Sequence, residues 1–203
     1  MDRIIAERIE NSVSEHFDVL QVIRNRRSVR QFEPKPVERE KILTCIEAAR
    51  LAPSADHVQP WRFVILDEPD VKNHFSREVF SGPYRFTRWA MKAPVLVVLL
   101  ADLNFVVHRL AKVIQKIPYY LLDMGIGGEH FVLQAQSLGL GTCWIGWFNF
   151  KRAKQFLNIS KGVRICGMIA VGYPASKLIP KEKKRKPLDE LVHLNRWGNR
   201  ITM

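Results

Sequence analysis

The sequence predicts a mixed α and β domain of three layers, and two features predict it. Short apolar runs have the length and composition of buried strands. Longer stretches with apolar residues at helical spacing stand between them.

Phe17, Leu20 and Ile23 recur at that spacing, so Asp18–Asn25 reads as a helix ending at the basic group Arg26–Arg30. Pro34 and Pro36 then interrupt the chain. Val37, Ile42, Leu43, Ile46 and Ala49 predict a second helix, which stops before Pro53 because the proline ring disfavours helix at the preceding residue. Trp61–Leu66 is a short β-branched and aromatic run, and Ala93–Ala101 has the composition of a fully buried strand. Tyr119–Leu138 is long enough for a buried helix, with Gly139 where a C-terminal cap would sit. Thr142–Trp147 and Val163–Val171 read as a third and a fourth strand, the latter ending at the turn Gly172-Tyr173-Pro174. Phe75–Lys92 and Leu103–Pro118 have weaker patterns and are expected to be surface helices or mobile flaps. The tail from Lys177 is basic and ends in an apolar coda, Leu188–Trp197.

A chain of 203 residues is long enough for one substantial core, so a single domain over 1–203 is expected, with 1–16 as an N-terminal extension. At 47% hydrophobic and 26% charged the composition is that of a folded globule and argues against a disordered chain. Lys and Arg number 32 against 20 Asp and Glu, a formal charge of +12. That excess favours anionic ligands or partners, from phosphorylated cofactors to acidic proteins, nucleic acid or a membrane surface. Cys45, Cys143 and Cys166 are far apart with no ligand spacing, which argues against a disulfide framework or a structural zinc site. Residues Met1–Ile9 lack the apolar core of a signal peptide, and Ala93–Ala101 is far short of the ~20 residues of a spanning helix. A cytoplasmic protein with no membrane partner is expected.

Four clusters carry chemistry. Arg26-Arg27-Ser28-Val29-Arg30 offers several guanidinium forks and a hydroxyl, a set suited to phosphate through charge-assisted bonds; alone, it is also the make-up of a solvated basic surface. Ala52-Pro53-Ser54-Ala55-Asp56-His57-Val58-Gln59-Pro60-Trp61 brackets small and polar residues between prolines. It is a rigid loop able to line a planar heterocycle, or a structural connection. In Gly139-Leu140-Gly141-Thr142-Cys143-Trp144-Ile145-Gly146 the glycines let backbone amides approach a ligand, or simply make a packed turn. Neither this run nor Gly125-x-Gly127 has the third glycine of a dinucleotide fingerprint. Lys181-Glu182-Lys183-Lys184-Arg185-Lys186-Pro187-Leu188-Asp189-Glu190 is a basic tail without the interleaved aromatics of a single-strand binding surface, so nucleic acid is not the expected partner.

Taken in order and with their spacing, the clusters resemble the nitroreductase family, including its iodotyrosine-deiodinase-like branch. The resemblance runs from about Val19 to Leu191. It rests on Arg-Arg-Ser-x-Arg, Ala-Pro-Ser-Ala-x-x-x-Gln-Pro-Trp, Gly-Leu-Gly-Thr-Cys-Trp-Ile-Gly, and Val171-Gly172-Tyr173-Pro174 followed by Arg185–Glu190. It implies an α+β sandwich, a mostly antiparallel sheet covered by helices, assembled as an intertwined homodimer whose arm 177–203 reaches the partner. The implied cofactor is FMN, with NADH or NADPH as co-substrate in a ping-pong cycle. The implied acceptor is a small planar molecule such as a nitroaromatic, a quinone or a flavin.

By position, Arg26, Arg27, Ser28 and Arg30 look like contacts to the FMN phosphate and ring edge, joined by Lys183 and Arg185 from the tail. Pro53, Ser54, Ala55, His57 and Gln59 look like the loop beside the isoalloxazine. Trp144, Ile145 and Gly146 look like the strand facing it, with a backbone amide near N5. The family commonly has Asn at the position of His57; its deiodinase-like branch often has His, which leaves the substrate open. The chemistry is then the flavin's, and no catalytic side chain is expected. A same-fold dehalogenase or enone reductase, or a flavoprotein that passes electrons to an acidic protein, are the rival readings. The aromatics Phe80, Tyr84, Phe86, Trp89, Phe105, His108 and Trp147 are expected either to cover the flavin face or to fill the core.

Overall fold

The computed structural model describes residues 18–103, 117–175 and 183–201. At its centre is a four-stranded sheet made of β1 (Trp61–Leu66), β2 (Val95–Asp102), β3 (Gly141–Ile145) and β4 (Val163–Gly172). The spatial order is β1-β2-β4-β3, and every neighbouring pair is antiparallel. Side chains alternate along a strand, so β2, apolar at every position from Val95 to Ala101, supplies both faces. Val95, Val97, Leu99 and Ala101 join one core; Leu96, Val98 and Leu100 join another. A bulge at Leu99/Leu100 leaves Cys166 of β4 as the extra residue and lets the two strands stay paired beyond it.

The first core is closed by α2 (Arg39–Arg50), through Ile42, Cys45 and Ala49, and by α4 (Tyr119–Ser137), through Met124, Phe131, Val132 and Ala135. Burial pushes the Cys45 thiol up to about 12, which makes it a packing residue rather than a nucleophile. The second core is closed by α3 (Pro69–Val79), α5 (Phe150–Phe156) and the 3-10 segment Gly82–Lys92. Two helices on one face and a mixed layer on the other make the three layers expected.

The strands fall where the apolar runs predict, with β3 starting at Gly141 and ending at Ile145 rather than running to Trp147. The helix α1 (Val19–Asn25) is capped by the Asp18 carboxylate, which accepts the Leu20 amide at 2.9 Å. Leu138 ends α4, and Gly139 follows at φ +74, the left-handed conformation expected of a glycine at that place. The weakly patterned stretch Phe75–Lys92 is anchored in the core at both ends: Phe75, Val79, Phe80 and Ala90 are buried. Most of Leu103–Pro118 lies outside the described residues. Sequence periodicity did not reveal α3 or α5, because each is short and mostly polar. After α6 (Leu188–Leu191) the tail folds back, with His193 and Arg200 paired in an antiparallel bridge. Among the described residues, no helix is long and apolar enough to cross a membrane.

Beyond β4, the Tyr173 hydroxyl donates to Glu38 at 2.6 Å and accepts from the Lys41 ammonium at 2.6 Å. The Tyr173 bond, then a backbone amide and Lys41, hold the Glu38 carboxyl down to about 2 against an ordinary 4.5. A depressed carboxylate contributes stability that is complete above about 4.5 and is lost as pH falls toward 2. Tyr173→Phe is therefore expected to flatten the fall of melting temperature between those pH values. Superimposable acid limbs for parent and variant would remove Glu38 from the acid response.

Candidate functional site

The chain leaves α1 in extended form and lays Arg26–Arg30 along the free edge of β3. The Val29 amide donates to the Thr142 carbonyl at 2.8 Å, and Ser28 makes a parallel bridge with Thr142. Val29 is buried, while Ser28 and Arg30, one residue to either side, are exposed. Close approach depends on Gly141: a Cβ there would sit 2.8 Å from Val29 Cγ2 and 3.0 Å from Pro174 Cγ. The edge of the sheet thus carries the basic segment in a fixed register.

The C-terminal arm returns to the same place. Lys183 Nζ donates to the carbonyls of Ile23 at 3.1 Å and Arg24 at 2.8 Å, capping α1. Burial and the nearby charges of Arg27, Arg26 and Arg185 push the Lys183 ammonium below its ordinary value. Arg26 also reaches Cys143. Burial raises its thiol, and Arg30, the Ser28 hydroxyl and Arg26 oppose that rise. Arg26, Arg27, Lys183 and Arg185 therefore gather at the end of α1, with Ser28 and Arg30 on its β3 side. Their acidic counterweight is small: Glu129 approaches Arg26 only to 4.0 Å. Three guanidinium groups close enough to act on the Lys183 ammonium form with it a donor set that fits a dianionic phosphate.

The loop Pro53–Gln59 is built with backbone strain. Asp56, His57 and Gln59 have φ of 48°, 55° and 50°, the left-handed region that costs a side-chain-bearing residue ~1–2 kcal/mol. Hydrogen bonds hold it there. The Gln59 amide donates to Ser54 Oγ at 2.9 Å, and the His57 amide to the Ser54 carbonyl at 3.1 Å. Ala55 N–H donates to Asp123 Oδ1 of α4 at 3.0 Å. The Gln59 side-chain amide lies 2.9 Å from His57 Nε2, so these two side chains of the rim are tied to each other. Pro53 and His57 are exposed, so the loop presents a rigid polar rim.

Gly146 follows β3, exposed, with no atom within 4 Å of where a Cβ would be, so its backbone is open to a ligand. Trp144 lies across Gly128 of α4, where a Cβ would overlap its ring, and rests 3.5 Å from the corresponding point of Gly167. Ile145 is different: its side chain is buried in the second core, which leaves only its backbone available.

One helix connects all of this. Asp123 fastens the Ser54–Ala55 loop, Gly128 seats Trp144 and Glu129 faces Arg26. At ~1.5 Å per residue, the loop's anchor and the level of Arg26 are about 9 Å apart along α4. Asp123 and Gly128 are positioning residues of the candidate site that sequence reasoning missed. The signals were a carboxylate in the apolar first turns of the helix and adjacent glycines Gly127-Gly128 inside it, each costing about 1 kcal/mol of helix propensity.

Of the aromatics expected at the flavin face, Phe80 is buried in the second core and cannot cover a ligand. Trp89 packs against that core beneath the Arg30 guanidinium, 5.5 Å from its ring centre. Half-buried Tyr84 and exposed Trp147 are partners, their rings 5.4 Å apart, and Trp147 Nε1 donates to the Pro83 carbonyl at 3.2 Å. Phe86 is 77% exposed. Phe105 and His108 lie outside the described residues.

The arrangement agrees with comparison to known proteins. The Nitroreductase family model matches residues 23–173. The chain belongs to the nitroreductase family. That match contains the basic segment, the strained loop and β3, and stops before the arm. A Methanothermobacter thermautotrophicus protein, provisionally named an NADH dehydrogenase/NAD(P)H nitroreductase, is 28% identical over 93% of this chain and 92% of its own. Iodotyrosine deiodinase 1 of Sus scrofa is 30% identical over 85% of this chain and 66% of its own. The crystal structure of a nitroreductase family protein from Clostridium novyi NT superimposes with a TM-score of 0.69 at 26% identity, covering 91% of this chain and 97% of that one. The chain is thus an enzyme of the nitroreductase family on that family's α+β fold.

Proposed function

We propose that the chain is an FMN-dependent NAD(P)H oxidoreductase, one nitroreductase unit over 1–203, that reduces a small planar acceptor in two half-reactions. The observation that carries this reading is the convergence of Arg26, Arg27, Lys183 and Arg185 at the end of α1, where the basic segment docks on β3, the strand that leads to the open backbone at Gly146. The names of relatives support the nicotinamide: one in Thermus thermophilus is an NADH dehydrogenase, 28% identical over 82% of this chain.

In this reading the cations, Ser28 and Arg30 hold the phosphate, and Lys183 ties the arm to α1 so that Arg185 reaches the same anion. The rim Pro53–Gln59, held in its strained form by Asp123, borders the ring. Gly146 presents an amide without a side chain in the way. FMN, when bound, supplies hydride acceptance and donation at N5. The residues' task is to orient the ring and leave one face open to nicotinamide and acceptor in turn.

Flavin released by heat is expected to run as FMN on chromatography, and the yellow protein is expected to bleach with NADH or NADPH; recovery of FAD alone would sink the reading. Arg26→Ala and Arg185→Ala should each weaken FMN binding by ~1.5–3 kcal/mol, roughly ten- to a hundredfold. Unchanged retention in Arg185→Ala would make the tail a solvated surface.

The unit proposed is a homodimer. Val19, Leu20 and Ile23 on α1, Leu121, Leu122 and Ile126 on α4, and Leu188, Leu191 and Trp197 on the arm are exposed apolar residues, with Trp197 at 91%. Apolar surface on three elements is what a large obligate interface would cover. Light scattering is expected to report twice 23.5 kDa; a flavin-loaded monomer would contradict the proposal. A second reading, reductive dehalogenation on the same flavin, is favoured by His57 together with the deiodinase relative. It predicts halide release from a halophenol under reducing conditions. Electron delivery to an acidic protein partner is the third, resting on the +12 charge alone.

A further inference from the structure

A second concave site lies at the other side of the sheet end. The segment Glu33–Val37, continuing from Arg26–Arg30, crosses that end and walls a cleft of about 540 Å³ together with the β1–α3 junction and the start of β2. The volume is within the range of small-molecule sites. Pro34, Pro36, Pro69 and Pro94 form much of its wall, which makes the shape rigid and poor in backbone donors. Polar recognition falls to side chains, and the lining holds four cations, Lys35, Arg39, Lys72 and Lys92.

Lys72 decides the chemistry. It is only 7% exposed, and its ammonium donates to the carbonyls of Met91 at 2.9 Å and Ala93 at 2.8 Å. An ammonium has three N–H donors, so one remains. Carbonyl dipoles stabilise the charge without cancelling it, and among the described residues no carboxylate pairs with Lys72. Asp67, on the cleft wall, is held by Arg39 Nε at 2.7 Å. Glu33 and Glu68 also line the cleft, against Lys35 and Lys92. Burial pushes the Lys72 ammonium below its ordinary value, the condition an anion would reverse. A buried charge without a counter-charge is costly, and a cleft that places one on its wall is suited to supply it from outside.

We propose that this cleft binds a small ligand through an oxyanion, a phosphate or carboxylate group, held by Lys72 with Lys92 and Lys35. It is separate from the cation cluster at β3. β2 and β3 are two strand spacings apart, about 10 Å, and the two sites share only the chain that runs from Arg30 into Glu33. The site does not depend on the flavin reading.

Backbone amide NMR on the protein as purified, titrated with sodium phosphate, sodium acetate or sodium chloride at matched ionic strength, tests it. Saturable shifts at Val37, Lys72, Lys92 and Val95 are expected with phosphate or acetate and not with chloride. Saturation by phosphate at lower concentration assigns a phosphorylated ligand; the reverse order assigns a carboxylate. The double variant Lys35→Gln/Lys92→Gln leaves the Lys72 bonds intact and should lower the affinity at least tenfold without moving the melting temperature in chloride. Lys72→Met should abolish binding. Linear shifts without saturation, saturation confined to Arg27, Ser28 and Arg185, or a double variant that binds as the parent does would each overturn the proposal.

Discussion

Gly141→Ala is expected to destabilise the protein by about 1–3 kcal/mol and to cost it at least tenfold in flavin affinity, although residue 141 is not proposed to touch the flavin. The added methyl would meet Val29 Cγ2 at 2.8 Å, Val29 Cβ at 2.9 Å and Pro174 Cγ at 3.0 Å. Val29 cannot yield by rotation alone, because it is β-branched and its amide is bonded to Thr142 at 2.8 Å. The strain is therefore released by moving the backbone of Arg26–Arg30 away from β3, which spreads the cations proposed to hold the phosphate. Gly146→Ala is the control for stability: nothing lies within 4 Å of its Cβ, so the melting temperature should hold while a methyl intrudes where the flavin edge is proposed. Thermal melts with flavin fluorescence read both quantities at once. A Gly141→Ala protein that keeps its flavin as the parent does would uncouple the edge of the sheet from the site.

Phe131→Ala should cost about 3–5 kcal/mol, near the whole stability of many domains, because a fully buried ring leaves both lost transfer energy and a cavity. Phe75→Ala, equally buried in the other core, should cost about as much. The two differ in what they loosen. Phe131 seats α4 on the sheet, and α4 carries Asp123, Gly128 and Glu129. Phe75 seats α3, which carries none of the proposed flavin residues. At a temperature where both variants remain folded, flavin release is expected to quicken markedly in Phe131→Ala and little in Phe75→Ala. Equal release from the two would show that α4 does not position the site.

Tyr173 illustrates how a motif can be right in place and silent about its work. Gly172-Tyr173-Pro174 ends β4 as a turn, as its composition predicts, yet the bonds of Tyr173 to Glu38 and Lys41 cross more than 130 positions of sequence. A Cβ at Gly172 would press Pro94 at 2.6 Å and Phe32 at 2.8 Å, contacts that no local pattern announces. The 3-10 segment Gly82–Lys92 was ambiguous for the opposite reason. Its aromatics at irregular spacing fit neither period, because Trp89 packs inward while Phe86 faces solvent.

By itself the sequence determined the elements whose information is periodic and local. Ala93–Ala101 is apolar at every position, so it holds a strand covered on both faces; Tyr119–Leu138 is apolar-rich and closed by Gly139, so it holds a long helix, though only one side of it is buried. The order of motifs also determined the family, since residue types that bind phosphate and border a ring are chemically constrained wherever they stand. The tertiary structure alone decided what depends on pairing at a distance: the β1-β2-β4-β3 order, the docking of Val29 on Thr142, the return of Lys183 to α1 and the strain held in place by Asp123. Those contacts join residues 68 to 160 positions apart. Their energy comes from complementary surfaces made only once the sheet exists, and hydrophobic periodicity carries no record of which surface meets which.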